Sequence, residues 1–123
     1  MRRVLLIDDD DAIREVAVVA LEVVGGWEVL SAGSGQEGVR LAVRERPDVV
    51  LLDVMMPGMD GPTALSLLRA DSRTQDIPVI FLTAKLQAAE QRRWDGLHVA
   101  GVLAKPFDPM RLPGQISDLL GWT

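Results

Sequence analysis

Residues 49–61 read VVLLDVMMPGMDG, and this stretch decides the fold. Its first four residues are all apolar, which predicts a short strand that is buried on both faces of a parallel sheet. Because this strand is apolar throughout, we expect it to lie at the centre of the sheet. Asp53 follows this strand directly, and a loop rich in proline, glycine and aspartate follows Asp53. The segment therefore predicts a central strand that ends in an aspartate.

Outward from this segment, short apolar runs alternate with stretches whose apolar residues recur at helical spacing. The runs predict strands at residues 4–7, 27–32, 49–52, 78–83 and 101–104. The intervening stretches predict helices over 12–24, from a capping box at 34–37 to 46, from the loop to 70, over 87–94 and over 110–120. Strands that alternate with helices indicate βαβ units and a parallel sheet with right-handed crossovers. Five such units predict an α/β fold, a flavodoxin-like (βα)5 doubly wound sandwich with strand order 2-1-3-4-5.

The composition limits the classes of protein to which the chain can belong. Its 123 residues suit one domain, and we expect residues 1–123 to form a single domain without an output domain. The absence of cysteine excludes disulfides and cysteine-ligated zinc, and the single histidine, His98, excludes a histidine-rich metal site. A net charge of −5 argues against a nucleic-acid partner, and no apolar run is long enough to cross a membrane. We therefore expect a cytoplasmic monomer or weak dimer with no nucleic-acid or membrane partner.

Polar residues that could carry chemistry follow four of the predicted strands. In a sheet of this order, ligands bind at the carboxyl ends of the strands, where the order reverses between the first and third strands. Three carboxylates, a hydroxyl and an ammonium group are expected to meet there, from Asp8, Asp9, Asp53, Thr83 and Lys105.

Each of these residues also has an ordinary explanation. Asp10 or Asp11, just behind the first pair, is expected to cap the first helix by accepting its free N–H groups. Asp53 could form an Asx turn, and Thr83 and Lys105 could be an ordinary strand end and a surface lysine. Asp8 and Asp9 are harder to explain as caps, because adjacent carboxylates repel one another unless a cation lies between them. The joint placement at the correct strand ends favours a functional site.

The chemistry that suits this set is the transfer of a phosphoryl group to a carboxylate. Asp53 would be the nucleophile and would form an aspartyl phosphate. Because the incoming group is anionic, a divalent cation is required, which we expect to be Mg²⁺, although Mn²⁺ could replace it. Asp9 and Asp53 can be direct ligands, Asp8 can hold a metal-bound water, and the backbone carbonyl of Met55 is the expected third protein ligand. The other phosphoryl oxygens need donors, and these are Thr83 and Lys105.

Four segments resemble the signature segments of response-regulator receiver domains. They are Leu5-Leu6-Ile7-Asp8-Asp9, Leu52-Asp53 through Met59-Asp60-Gly61, Phe81-Leu82-Thr83-Ala84 and Ala104-Lys105-Pro106-Phe107. The resemblance covers essentially the whole chain. It implies that a sensor histidine kinase or a histidine phosphotransfer protein donates a phosphoryl group to Asp53, and that phosphorylation changes the binding of a downstream protein target, which the sequence does not identify. It also implies a signalling domain that catalyses only its own phosphorylation and dephosphorylation, with a cis peptide bond before Pro106.

The sequence departs from the commonest family pattern near the expected switch. Three residues before Lys105 the family often has Tyr or Phe, whereas this chain has Val102, and His98-Val99 stands where Gly-Ala is usual. The usual account of the switch is therefore in doubt, although the phosphorylation site is not. The positions that tune the lifetime of the aspartyl phosphate are Met55 and Lys85, neither of which can position a water for hydrolysis, so we expect slow dephosphorylation.

Three alternatives remain open at this point. Haloacid-dehalogenase-type phosphatases also have a nucleophilic aspartate after a first strand and a second aspartate two residues on, a spacing that Asp8 and Asp10 meet. A receiver-like module that has lost phosphorylation would bind partners constitutively, but all the expected site residues are present. The chain could also be excised from a longer protein, and we favour a free-standing regulator because it starts at Met1 and ends just past the last predicted helix.

Overall fold

The computed structural model describes residues 1–84 and 98–122. Five strands form one parallel sheet in the order β2-β1-β3-β4-β5, as predicted. The strands are β1 (Arg3–Ile7), β2 (Glu28–Ala32), β3 (Val49–Asp53), β4 (Val79–Thr83) and β5 (Gly101–Ala104). The helix predicted at 87–94, and Lys85, lie outside the described residues.

The described helices are α1 (Asp11–Val19), α2 (Gly35–Glu45), α3 (Gly61–Ala70) and α4 (Leu112–Leu120). A π-helical segment, Ala20–Val24, continues α1, where the sequence predicted a single regular helix over 12–24. The last helix begins two residues later than predicted, so that Pro113 lies in its first turn. At this position a backbone N–H would have no hydrogen-bond partner within the helix, so proline, which has no N–H, costs nothing there. Within the described part of the chain, no helix is long and apolar enough to span a membrane.

Both faces of the sheet are covered. Along β3, Val50 and Leu52 pack into one hydrophobic cluster with residues of α2 and α3. Val49 and Leu51 point to the other face and pack with residues of α1 and α4. This arrangement explains why β3 is apolar at successive positions, because neither face meets solvent. The doubly wound sandwich predicted from the sequence is confirmed.

Side-chain caps start three of the helices at the edge of the sheet where the strands end. Asp10 caps α1 by accepting hydrogen bonds from the backbone N–H groups of Ala12 and Ile13, at 2.9 and 3.2 Å. Ser34 caps α2 by accepting a hydrogen bond from the N–H of Glu37, and Asp60 caps α3 by accepting one from the N–H of Thr63. The prediction that Asp10 or Asp11 caps the first helix is thus confirmed for Asp10. The caps set the points at which the chain turns away from the carboxyl edge.

Candidate functional site

Four polar residues meet at the carboxyl edge of the sheet. Asp53 is the last residue of β3 and Asp8 follows β1, and these two are 3% and 0% exposed. Thr83 is the last residue of β4, is also buried, and Lys105 follows β5. Because the strands are parallel, their carboxyl ends lie together, which brings residues from distant parts of the sequence to one place. The structure therefore groups the site residues that were predicted from strand ends.

An acidic cluster forms the centre of this edge. Asp8, Asp9 and Asp53 each offer a carboxylate oxygen, and the three oxygens lie within 4.8 Å of one another. Asp8 and Asp53 are buried, whereas Asp9 is exposed. Buried carboxylates at this spacing repel one another, and oxygen ligands of this kind are those that Mg²⁺ prefers. The donor set therefore fits a hard divalent cation.

Lys105 partly neutralises the cluster. Its ammonium nitrogen lies 3.2 Å from Asp8 Oδ2 and 3.1 Å from Asp53 Oδ1. Burial alone would lower the pKa of Lys105, but the hydrogen bonds and negative charges of Asp53 and Asp8 outweigh it and raise the pKa. Lys105 is consequently a fixed positive charge between two carboxylates, available for a third anionic group.

The carboxyl group of Asp53 has an unusual affinity for its proton. Its pKa is raised from 3.8 to about 6, mainly by burial, and the negative charge of Asp8 adds to this effect. The hydrogen bond and charge of Lys105, and a weaker bond from the Met55 N–H, act in the opposite direction. The group is still mainly ionised at neutral pH, and it is a poorly solvated carboxylate of the kind that can act as a nucleophile.

The loop after β3 holds Asp53 through the backbone. The N–H of Met55 donates to Asp53 Oδ1 at 3.3 Å, so the Asx turn considered from the sequence is present as well. The N–H of Gly61 donates to the carbonyl of Val54 at 2.8 Å. A Cβ atom at Gly61 would lie 2.7 Å from the Asp53 carbonyl oxygen, which leaves no room for a side chain there. The start of α3 therefore packs directly on the end of β3. The role of the Met55 carbonyl as a metal ligand stays a prediction.

Arg14 is a neighbour of the site that the sequence did not reveal. Its Nη1 donates to the backbone carbonyl of Asp8 at 2.7 Å, and its Nη2 pairs with Asp11. The Asp8 carboxylate accepts the N–H of Asp10 at 2.9 Å through Oδ1. An arginine one turn after a helix cap is too common a pattern to have indicated this contact.

The end of β5 has the geometry expected from the sequence. The N–H of Lys105 donates to the carbonyl of Thr83 at 2.8 Å, and the Lys105–Pro106 peptide bond is cis, which confirms that prediction. Val102 pairs with Phe81 in the sheet and is partly buried against the cluster that contains β3 residues. Its part in a switch stays a prediction, and Lys85 lies in the part of the chain that the structure does not describe.

The chain is similar to known signalling proteins over nearly its whole length. A family model described as the response regulator receiver domain matches residues 4–117. The chain is 40% identical over 120 residues to the DNA-binding dual master transcriptional regulator RpaA of Synechocystis sp., a match that covers 98% of this chain and 49% of RpaA. The chain thus spans about half the length of the curated relatives it matches.

Two solved structures show the same fold with related sequences. The chemotaxis protein CheY4 of Vibrio cholerae matches with a TM-score of 0.89 and 30% identity, over 97% of this chain and 98% of CheY4. The receiver domain of the sensor histidine kinase PA1611 from Pseudomonas aeruginosa, described with a magnesium ion coordinated in its active-site cleft, matches with a TM-score of 0.86 and 28% identity, over 98% of each chain. With the family match, the strand order and the grouped strand-end residues, the chain belongs to the receiver domains of two-component response regulators, which act in phosphorelay signalling.

Proposed function

We propose that Asp53 accepts a phosphoryl group from the phosphohistidine of a sensor histidine kinase or a histidine phosphotransfer protein. The observation that carries this proposal is the position of the Asp53 carboxylate, buried at the end of the central strand and 3.1 Å from the Lys105 ammonium. A carboxylate oxygen of Asp53 forms a bond to phosphorus while the phosphorus–nitrogen bond to the donor imidazole breaks. The electron pair of that bond goes to the imidazole nitrogen.

The acidic cluster would hold Mg²⁺, which Mn²⁺ could replace. Asp9 and Asp53 would supply carboxylate ligands and Asp8 would hold a metal-bound water. The backbone carbonyl of Met55 would be the third protein ligand. When bound, the ion offsets the negative charge of the carboxylates and the transferred group. Two of the three carboxylates are already buried and close together. The free-energy cost of bringing their negative charges together is therefore incurred when the chain folds and not when the ion binds.

Lys105 and Thr83 would hold the oxygens of the transferred group. Lys105 already contacts Oδ1 of the carboxylate to which the phosphoryl group would be attached. Once Asp53 is phosphorylated, its carboxylate charge is lost, and the ammonium can donate to a phosphoryl oxygen instead. The hydroxyl of Thr83 lies at the end of the adjacent strand and can donate a second, charge-assisted hydrogen bond.

Phosphorylation would change the affinity of this domain for a downstream protein. Every proposed site residue in the described chain lies between positions 8 and 105, so accepting the group needs no further domain. RpaA is named as a DNA-binding regulator, but its match covers only about half its length. Because the chain has a net charge of −5, we assign the output of these residues to protein contacts rather than to DNA.

Labelling with a small acyl-phosphate donor tests the proposed acceptor. With Mg²⁺, the intact mass of the protein should rise by one phosphoryl group, and chelation of the metal should abolish the gain. Asp53→Asn should not gain mass, whereas Asp118→Asn, an exposed aspartate on α4, should behave as the unsubstituted protein. Borohydride reduction and peptide mapping then locate the modified residue. Equal labelling of Asp53→Asn, or modification at Asp8, would contradict the proposal, and the second result would favour phosphatase chemistry.

A further inference from the structure

Arg14 reaches back from α1 to the end of β1. Its Nη1 donates a hydrogen bond of 2.7 Å to the backbone carbonyl oxygen of Asp8, and its Nη2 pairs with the carboxylate of Asp11. The arginine side chain is 21% exposed, so most of it lies against the protein. One guanidinium group therefore links Asp8, the residue that follows β1, to the first turn of α1.

The surroundings leave space for this guanidinium group. The paired register of β1 and β2 ends at Ile7 and Ala32, and the N–H of Asp8 makes one more bond of 3.1 Å, to the carbonyl of Ala32. β2 ends at Ala32, and Arg14 provides a donor for the Asp8 carbonyl. A Cβ atom at Gly33 would lie 3.2 Å from Nη1 of Arg14, so the glycine keeps that position open.

The carbonyl that Arg14 holds belongs to the peptide group that joins Asp8 to Asp9. Because a peptide group is planar, a fixed carbonyl also fixes the direction of the Asp9 N–H and the position of the Asp9 Cα. The Asp8 side chain is held independently, by the N–H of Asp10 and by Lys105. Asp9 is exposed, so burial does not hold its side chain in place. The direction of that side chain therefore depends on the backbone that precedes it.

We propose that Arg14 is a positioning residue that fixes the Asp8–Asp9 peptide and thereby sets the affinity of the acidic cluster for Mg²⁺. This inference rests on the proposed function, because it takes the cluster to be the metal site. Arg14 itself contacts neither the metal nor the phosphoryl group in this account.

The sign of the effect separates positioning from simple electrostatics. A guanidinium cation near the cluster repels a divalent cation, so removal of its charge alone would make Mg²⁺ bind more tightly. Loss of positioning has the opposite sign, because Asp9 would no longer be held in the direction that suits the metal. Residues that orient metal ligands commonly change metal affinity by about tenfold or more when they are replaced.

Calorimetric titration of the metal-free full chain with MgCl₂ alone provides the test. Arg14→Ala should raise the Mg²⁺ dissociation constant about tenfold. The dissociation constant of Arg14→Lys should lie between those of the unsubstituted protein and Arg14→Ala, because an ammonium group can replace one of the two contacts of the guanidinium group. Arg44→Ala removes the same charge from an exposed position on α2 and should stay within about twofold of the unsubstituted protein. Gly33→Ala, which crowds the guanidinium group from the other side, should weaken Mg²⁺ binding in the same direction as Arg14→Ala.

A kinetic measurement distinguishes positioning from general loss of structure. The Mg²⁺ concentration needed for half-maximal labelling by an acyl phosphate should rise in Arg14→Ala, while the rate at saturating Mg²⁺ returns to within about twofold of the unsubstituted protein. Unchanged or tighter Mg²⁺ binding by a folded Arg14→Ala variant would overturn the inference. If that variant does not fold, Arg14→Lys and Gly33→Ala decide the question by the same criterion. Absence of Mg²⁺ binding by the unsubstituted protein would instead refute the proposed function.

Discussion

Lys105, just after β5, places its ammonium nitrogen 3.1 Å from Oδ1 of Asp53 at the end of β3. The strand β4 lies between these two strands, so the lysine side chain crosses the end of an intervening strand to reach the aspartate. Neighbouring strands are about 4.8 Å apart, and the crossing therefore spans about 10 Å. Only a long, flexible cationic side chain meets this requirement, which gives Lys105 a role that its charge alone does not explain.

Replacement of Lys105 should remove most of the phosphorylation activity. Lys105→Met keeps the length and apolar stem of the side chain but loses the charge and the donors. We expect the rate of labelling by an acyl phosphate to fall about 100-fold or more, the usual cost of a lost donor to developing negative charge. Arg44→Met, an exposed substitution with the same change of charge, should leave the rate within about twofold. A near-normal rate for Lys105→Met would contradict the assigned role.

The stability of the metal-free protein should depend on pH through Asp53. Its pKa is raised from 3.8 to about 6 in the folded state, so between these values the folded protein binds the proton more tightly than the unfolded chain. The contribution of this group to the free energy of unfolding is therefore lost as pH rises from about 4 to about 6. Because asparagine does not ionise, Asp53→Asn should exceed the unsubstituted protein in stability at pH 7 by about 3 kcal/mol.

Urea unfolding in the presence of a chelator, at several pH values between 4 and 7.5, measures this difference. The advantage of Asp53→Asn should grow between about pH 4 and 6 and then level off. Comparison of the two proteins cancels the effects of the carboxyl groups that they share. Saturating Mg²⁺ should reduce the advantage, because the ion compensates the buried charge. A difference that does not change with pH would show that the charge of Asp53 is not the cause.

Replacement of the glycine at the start of α3, even by alanine, should destabilise the protein. A Cβ atom at Gly61 would lie 2.7 Å from the Asp53 carbonyl oxygen and 2.8 Å from the Val54 Cα, and both contacts are with backbone that cannot easily move. Gly61→Ala should lower the free energy of unfolding by about 1–3 kcal/mol and slow labelling of Asp53. Gly114→Ala is the matched control, because its Cβ would meet nothing within 4 Å and it lies in α4, where alanine should add about 0.5–1 kcal/mol. Equal effects of the two substitutions on chemical denaturation would refute the steric account.

The aspartyl phosphate should be long-lived. The side chain of Met55 is 70% exposed two residues beyond Asp53, and neither it nor Lys85 offers an acceptor that could orient an attacking water. Introducing Met55→Asn together with Lys85→Glu should accelerate the loss of label from the purified phosphoprotein. An unchanged or slower rate in the double variant would remove this explanation of the lifetime.

Signalling should not depend on a rotating aromatic ring. Val102 is too short to fill space behind Thr83, and its β-branched side chain has few alternative rotamers. We therefore expect beryllofluoride and Mg²⁺ to change amide exchange across residues 86–101 as well as near the site. Changes confined to the loops around Asp9 and Asp53 would show that the signal leaves the site by another route.

Much of the fold could be predicted because the three inner strands, β1, β3 and β4, are buried on both faces. A strand such as β3 is apolar along its buried length, so its end is visible as the point where a polar residue appears. The same property pointed to the candidate site, since Asp8 is the first polar residue after β1 and Asp53 is the polar last residue of β3. The strand order then followed from the number of βαβ units rather than from any single residue.

Contacts that depend on packing between distant segments could not be predicted. Arg69 donates from α3 to the carbonyl oxygens of Ile77, at 2.8 Å, and His98, at 2.9 Å, although nothing in the sequence relates these residues. Thr74 lies in the polar connection between α3 and β4, yet it is buried and its hydroxyl donates to the carbonyl of Leu68. The raised pKa of Asp53 has the same origin, because burial of one carboxyl group is a property of the assembled core.

The distance in sequence between Asp8 and Lys105 has a consequence for synthesis of the protein. These residues are 97 positions apart, yet their side chains are in contact. During synthesis, Asp8 and Asp53 leave the ribosome long before Lys105 does. Until the last strand joins the sheet, these two carboxylates lack the ammonium group that lies beside them in the folded protein. The complete group of site residues therefore exists only in a chain whose last strand has joined the sheet. If Asp53 accepts the phosphoryl group as proposed, phosphorylation would depend on completed folding, because the lysine that completes the site follows the last strand of the sheet.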